Sequence, residues 1–239
     1  MKNTHPKLII IGCGGTAEMI ADLFIHDSIY DVIAFSAEKR FAPQIFMGKP
    51  VIEYEVLDKE FPNTEYSFFV AIGESNLNQL RYRFYSEMIR KGYQAASFIS
   101  SKSSISSYAK IGNHCFIAEN VVAHAGCTIG DNVIILPNCY IGHHSVIESH
   151  TFFSAGVNIS GFSHINEFTF LGTGSSISNC INIGKGSVIG IGAVCSSDIG
   201  TNEIVTIPHN NIRKNARDIF CKWHDNVAHQ ARTILQRLK

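Results

Sequence analysis

Apolar residues recur every six positions through the middle of the chain. Steps of six from Ile99 to Ile189 meet sixteen residues, all of them apolar and thirteen of them isoleucine. The residue four positions after each of these is never charged or aromatic. Neither the 3.6-residue period of an α-helix nor the two-residue period of a single strand explains this spacing. The period predicts a solenoid of short strands with the isoleucines inside, over residues 99–200.

The chain before this repeat has an alternating strand and helix pattern. Apolar runs at 7–11, 31–36 and 67–73 predict three strands, and a shorter strand is expected near 95–99. Helical spacing follows the first strand in AEMIADLFI and returns over 77–91. This order predicts a small α/β domain with a parallel sheet over residues 1–98.

Residues 201–239 leave the six-residue period. Apolar side chains between Ile219 and Leu238 recur at helical spacing. We therefore expect a C-terminal extension with an amphipathic helix, which would cap the open end of the solenoid.

A glycine-rich turn follows the first strand. Gly12, Gly14 and Ala17 match the spacing of a dinucleotide-binding fingerprint, in which backbone amides and a helix N-terminus receive phosphate. A tight turn without a ligand remains an alternative, because this pattern alone is a weak signal. The second strand ends at Ser36-Ala37, without the acidic residue that binds an NAD ribose. A site for a single nucleotide is therefore favoured over one for NAD.

Charge and cysteine content exclude some classes of protein. The chain has 20 basic and 20 acidic residues, so it lacks the broad basic surface of a non-specific nucleic-acid or membrane binder. Seven cysteines without a C-x-x-C pair fit neither a disulfide framework nor a zinc knuckle, and they favour the reducing cytoplasm. Cys115, Cys127 and Cys139 occupy the small inward position of the repeat, which favours packing over metal binding.

Two adjacent histidines lie at a predicted corner of the solenoid. His143 and His144 are the third and fourth residues of their hexad, where side chains project outward. The same corner one coil later carries Gly161, which would leave space and a backbone N–H beside His143. We expect His124, His150 and His164 to be surface residues.

These features together resemble one enzyme family. An α/β domain, the segment AIGESN, and a hexapeptide repeat containing GHHSVIE and IGIGAV resemble the bacterial nucleotide-amino-sugar N-acyltransferases of the PglD and NeuD type over residues 7–195. The resemblance implies a Rossmann-like α/β domain followed by a left-handed parallel β-helix. It also implies a cytoplasmic homotrimer with active sites between adjacent β-helices.

The activity that the resemblance implies is acetyl transfer for surface glycan biosynthesis, such as O-antigen. Acetyl-CoA would acetylate the amine of a dTDP- or UDP-linked amino deoxysugar, with no metal, nucleic acid or membrane required. By the same resemblance, His143 is the general base, with His144 beside it in a position where the family often has an acid. The implied acetyl-CoA contacts are Gly161, Thr173, Gly190, Ile191 and Gly192. The implied nucleotide-sugar contacts are Gly12, Cys13, Gly14, Gly15, Ser36 and Gly73.

Three alternatives stay open. The same base could serve an O-acetyltransferase acting on a sugar or sialic-acid-like hydroxyl. A zinc site like that of the γ-class carbonic anhydrases would use His114 and His150, but its third position is Ala155. The third alternative is a non-catalytic scaffold.

Overall fold

The computed structural model describes residues 5–207 and 211–214, and the first domain in it is built on a six-stranded sheet of order β3-β4-β2-β1-β5-β6. Strands β1, β2, β4, β5 and β6 run parallel, and only the short β3 pairs antiparallel with its neighbour. In chain order the elements are β1 (Lys7–Ile11), α1 (Gly15–His26), β2 (Asp31–Ala37), β3 (Ile45–Phe46), β4 (Lys49–Glu53), α2 (Leu57–Glu60), β5 (Tyr66–Val70), α3 (Gln79–Arg90) and β6 (Gln94–Ala95). The predicted parallel sheet is confirmed.

The sheet is covered on both sides because its central strand is apolar from Leu8 to Ile11. Leu8 and Ile10 pack with α1, whereas Ile9 and Ile11 pack with α3. Alternate residues of a strand point to opposite faces, so the continuous run KLIII supplies both cores. The segment between β2 and β5, with β3, β4, α2 and two short 3₁₀ turns, was not predicted from the sequence.

Residues 98–206 form a parallel β-helix with three faces, and successive strands within a face are mostly 18 residues apart. The first face consists of β7 (Phe98–Ile99), β10 (Phe116–Ile117), β13 (Ile134–Ile135), β16 (Phe152–Phe153), β19 (Phe170–Leu171), β22 (Val188–Ile189) and β24 (Glu203–Thr206). The second face consists of β8 (Ser104–Ile105), β11 (Val122–Ala123), β14 (Tyr140–Ile141), β17 (Asn158–Ile159), β20 (Ser176–Ile177) and β23 (Val194–Cys195). The third face consists of β9 (Lys110–Ile111), β12 (Thr128–Ile129), β15 (Val146–Ile147), β18 (His164–Ile165) and β21 (Asn182–Ile183).

Three corners join these faces. The first corner follows the first face, the second corner follows the second face, and the third corner follows the third face. The predicted inward residues from Ile117 to Ile189 form one buried core. Ile105 and Ile111 are partly buried against this core, and Ile99 has 44% of its surface exposed because no coil precedes it.

The α/β domain packs on the outward side of the first face. Aromatic side chains there, including Phe98, Phe116 and Phe152, join Phe24 of α1 in one buried cluster. Burying side chains of this size contributes about 1.5–3 kcal/mol each, so this contact is a strong one. It brings the glycine turn after β1 close to the first corner.

The first face continues beyond the predicted boundary at residue 200. Strand β24 pairs parallel with β22, and β25 (Asn211–Lys214) then pairs antiparallel with β24. This hairpin was not predicted. The predicted C-terminal helix lies outside the described residues. Within the described part of the chain, none of the helices has the length and apolar character that crossing a membrane demands.

Candidate functional site

The second corner exposes the two adjacent histidines. His143 and His144 both point away from the core, as predicted. Their Nδ1 atoms lie 3.2 Å apart, so one ring donates a hydrogen bond to the other. Phe162 completes the cluster, since its ring stacks on His144 at 5.0 Å and meets His143 edge-on at 4.9 Å.

Gly161 leaves room for the His143 ring. A Cβ atom at Gly161 would lie 2.8 Å from both Cε1 and Nε2 of His143, so any side chain there would collide with the imidazole. Among the described residues, no acceptor is found for the Gly161 N–H. The second corner therefore combines an exposed imidazole with a backbone N–H that has no acceptor in the described part of the chain.

The glycine turn after β1 has two kinds of glycine. Gly12 adopts φ 130°, donates its N–H to the carbonyl of Ser36 at 2.8 Å, and would place a Cβ 2.7 Å from the Ala71 carbonyl oxygen. The fold therefore requires glycine there. At Gly14 and Gly15 a Cβ would meet nothing within 4 Å, so the fold leaves open space at the start of α1.

A pocket of about 370 Å³ lies between this turn and the first corner. It combines the N-terminus of α1, which favours anions, with a carboxylate from Glu74. Gly73 adjoins it, since a Cβ there would lie 3.2 Å from Thr16 Oγ1. The pocket is lined by Gly15, Thr16, Met19, Glu74, Leu136, Phe152, Ser154, Ala155 and Thr173.

The structure brings some predicted site residues together and separates others. Gly15 and Thr173, from the two predicted contact sets, line the same pocket. Gly190, Ile191 and Gly192 follow β22 and so lie on the same corner as Thr173. His143, His144 and Gly161 lie on the second corner. Within one chain the predicted acetyl-CoA contacts are therefore divided between two corners.

Two predicted nucleotide contacts are less accessible than the glycines around them. The Ser36 side chain is fully buried, and its Oγ has no hydrogen-bond partner among the described residues. Cys13 is partly buried, and burial raises the pKa of its thiol to about 11. These residues are thus placed to shape the turn rather than to present side chains.

The third corner holds a buried polar network that the sequence did not predict. Arg81 of α3 is fully buried and donates hydrogen bonds to the carbonyl of Gly73 at 2.9 Å and to that of Thr151 at 3.0 Å. Its Nε also donates to Asn132 Oδ1 at 3.1 Å. Burial lowers the pKa of Arg81 to about 9. This guanidinium ties the loop beside the pocket to the β-helix.

His114 and His150 belong to the same network. His114 Nε2 accepts the Val70 N–H at 2.8 Å, so its Nδ1–H donates to Asn132 Oδ1 at 3.0 Å. The Asn132 amide in turn donates to His150 Nδ1 at 3.0 Å. The prediction that His150 is a surface residue is wrong, because Tyr82 of α3 packs against its ring at 4.7 Å.

The zinc alternative finds no support at these histidines. Both ring nitrogens of His114 are engaged by protein groups, which leaves no lone pair for a metal. No group of three metal-ligating side chains is found in the described part of the chain. Cys115, Cys127 and Cys139 are buried in the core, as their position in the repeat predicted.

Several residues of these sites were missed. Thr16 and Glu74 directly follow Gly15 and Gly73, which were predicted contacts. Their positions in the sequence could therefore have identified them as site residues. Phe162 follows Gly161 and lies one coil after His144, so the corner register that selected Gly161 also points to it. No local signal marks Arg81, whose partners lie far away in the sequence.

Comparisons with known proteins agree with this architecture. Residues 7–88 match the family model of the PglD N-terminal domain, and residues 113–219 match that of the GMPPB C-terminal domain. No curated protein gives a significant match. The predicted resemblance to PglD-type proteins is confirmed.

Three solved structures illustrate the shared fold. The acetyltransferase domain of PglB from Neisseria gonorrhoeae, in complex with acetyl coenzyme A, is 24% identical with a TM-score of 0.78, covering 88% of this chain and 100% of that one. A mutant perosamine N-acetyltransferase from Caulobacter crescentus, with CoA and GDP-perosamine, is 20% identical with a TM-score of 0.78 and coverages of 87% and 96%. WeeI from Acinetobacter baumannii is 22% identical with a TM-score of 0.75 and coverages of 86% and 99%. At these identities the likeness establishes the fold.

Proposed function

We propose, from a PglD-type N-terminal domain joined to this β-helix, that the protein is an acetyl-CoA-dependent N-acetyltransferase of a nucleotide-linked amino deoxysugar, serving surface glycan biosynthesis. The observation that carries the proposal is the second corner, where the exposed His143 ring lies directly over Gly161. The left-handed sense of the β-helix and the division into an α/β domain (1–98), a β-helix (99–200) and an extension (201–239) are also parts of the proposal, with the second boundary moved beyond β24.

The reaction needs a base because only a free amine attacks a thioester. His143 would accept a proton from the sugar amine as the new C–N bond forms, an effect worth about 100- to 10,000-fold. The Gly161 N–H would donate to the oxyanion of the tetrahedral intermediate. The C–S bond then breaks, and the imidazolium returns its proton to the departing CoA thiolate. No acyl-enzyme is needed, since holding both substrates together supplies much of the rate.

The nucleotide sugar is assigned to the pocket beside the glycine turn. Open space at Gly14 and Gly15 lets a diphosphate approach the N-terminus of α1, whose N–H groups and dipole favour it. The sugar would extend from there past Thr16 and Glu74. The nucleotides considered are dTDP and UDP, which the family resemblance implies, with GDP added because a similar structure contains GDP-perosamine.

The division of the site between two corners supports a homotrimer. Thr173 and Ile191 lie on the first corner and His143 on the second, so a complete site would need the first corner of a neighbouring chain. The second face between them exposes Tyr140 and Val194. Self-association through that face would cover these apolar groups. Acetyl-CoA would then lie between two adjacent β-helices.

A panel of nucleotide sugars tests the proposal. Purified protein is incubated with acetyl-CoA and amino deoxysugars linked to dTDP, UDP or GDP, while thiol release is followed and products are weighed by mass spectrometry. We expect acetylation of at least one amino sugar. Matched hydroxy sugars are the control, and acetylation of these alone would indicate an O-acetyltransferase. Failure to bind acetyl-CoA would overturn the proposal in favour of a scaffold.

A further inference from the structure

The fourth position of each hexad adopts a left-handed backbone over most of the solenoid. From residue 114 to residue 192, every sixth residue has φ between 55° and 76°. Glycine and asparagine, which tolerate this conformation, occupy eight of these positions: Asn120, Gly126, Asn132, Asn138, Gly156, Gly174, Gly186 and Gly192. Neither glycine nor asparagine occupies the other six: His114, His144, His150, Phe162, Phe168 and Cys180.

Packing accounts for three of these six. His114, His150 and Phe168 lie on the third corner, where they contact Tyr82 or Tyr85 of α3 at ring distances of 4.7–5.4 Å. Strain of roughly 1–3 kcal/mol at each position is therefore offset by burial against the α/β domain. Packing alone therefore explains the left-handed residues of the third corner, and no ligand has to be invoked for them.

Among residues 5–207, the second corner has no such packing. His144 is exposed, and Phe162 has 57% of its surface exposed, although a left-handed phenylalanine is an outlier. Instead, the two rings stack on each other, 5.0 Å apart and 10° from parallel. Gly126, one coil before His144, leaves space for this stack, since a Cβ there would lie 2.8 Å from His144 Cδ2. The column Gly126–His144–Phe162 thus holds one imidazole in a fixed plane.

We infer that His144 is a positioning residue that fixes the tautomer of His143, and that Phe162 holds His144 in place for this task. The 3.2 Å contact between the two Nδ1 atoms requires one N–H and one lone pair. If His143 donates, its Nε2 keeps the lone pair and faces Gly161. If His144 donates, His143 Nε2 carries the proton instead.

Only the first arrangement leaves the lone pair on His143 Nε2, beside Gly161, because the second leaves it on His144 Nε2 instead. His143 Nδ1–H then donates to neutral His144 before and after Nε2 takes up a proton, so the ring keeps its orientation throughout. His144 thus supplies a neutral acceptor to the base. The choice of tautomer and its catalytic consequence both rest on the proposed function, but the tautomer can be measured without any substrate.

Nitrogen-15 NMR of histidine-labelled protein tests the tautomer without substrate. In the resting protein we expect His143 to carry its proton on Nδ1 and His144 on Nε2. Assignments come from His143→Gln and His144→Gln spectra. A proton on His143 Nε2 would overturn the inference, whatever the substrate panel shows.

Kinetics then separate positioning from simple packing. His144→Phe keeps an aromatic ring for the stack but removes the acceptor, so kcat should fall about 10- to 100-fold with little change in KM. His144→Asn restores an acceptor at a position where asparagine fits the backbone, and kcat should return to within about threefold of the parent. His124→Phe, which changes another exposed histidine of this corner, is the matched control and should stay near the parent rate. Equal losses in His144→Phe and His144→Asn would contradict the inference.

Discussion

Two corners of the same β-helix carry imidazole rings, and their surroundings differ. On the third corner, both nitrogens of His114 are hydrogen-bonded, and the ring stacks on Phe69 at 4.4 Å. On the second corner, the one hydrogen bond found for the His143 ring within the described ranges joins its Nδ1 to His144 Nδ1, and the ring stays exposed. The repeat places both kinds of histidine at corners, so what covers a corner decides whether its residues stabilise the fold or remain available for chemistry.

The difference also shows how the α/β domain divides the solenoid. It covers the first face and, through α3, the third corner. The second face and second corner stay open in the described part of the chain. When no other part of the chain packs on a corner, substitutions at that corner need not reduce the stability of the core.

The largest expected effect is on activity at the open corner. His143→Gln removes the base but keeps a polar side chain of similar reach, so kcat should fall between about 100- and 10,000-fold. Stability should change by less than about 0.5 kcal/mol, because the side chain is exposed. Steady-state kinetics and urea unfolding measure the two. Near-parental turnover would remove His143 from the mechanism.

The closed corner should show the opposite result. His114→Ala removes a stacked ring and leaves the Val70 N–H without its acceptor, so the free energy of unfolding should fall by about 2–4 kcal/mol. Turnover per folded molecule should not change. Urea unfolding provides the measurement, with His124→Ala as an exposed control. A loss of turnover without a loss of stability would contradict the division between the corners.

The sequence predicted the β-helix well because its signal is local and repeated. Ile117 to Ile189 are inside, and His143 and Gly161 lie on a common corner, since a strict six-residue period without insertions determines both. The same register also placed Cys115, Cys127 and Cys139 in the core.

The contacts between the two domains could not be predicted in the same way. Asn132 and Thr151 lie 51 and 70 residues from Arg81, and no repeat connects them. The error at His150 has this cause, because its corner position is exposed in an isolated solenoid and becomes covered only when α3 packs there.

The closed corner should also make stability depend on pH. Burial lowers the pKa of His114 to about 3, so the folded protein keeps this ring neutral while the unfolded chain takes up a proton near pH 6.5. The stability that the neutral His114 ring contributes is complete above about pH 6.5 and is lost as the pH falls toward 3. Between pH 7 and pH 5 this loss should be about 2 kcal/mol. Urea unfolding of His114→Gln at both values should show a smaller decline than the parent, and an equal decline would exclude His114 as its source.

The smallest expected effect sharpens the geometry of the open corner. Gly161 does not have a left-handed backbone, so Gly161→Ala should fold normally, but its methyl group would lie 2.8 Å from His143 Nε2. We expect KM for acetyl-CoA to rise about tenfold, equal to about 1.4 kcal/mol, and KM for the nucleotide sugar to change less. Asn179→Ala, at the equivalent place one coil later, is the control and should leave both values unchanged. A larger rise in KM for the nucleotide sugar than for acetyl-CoA would place the acyl donor away from this corner, because the methyl group acts only on what lies beside the His143 ring.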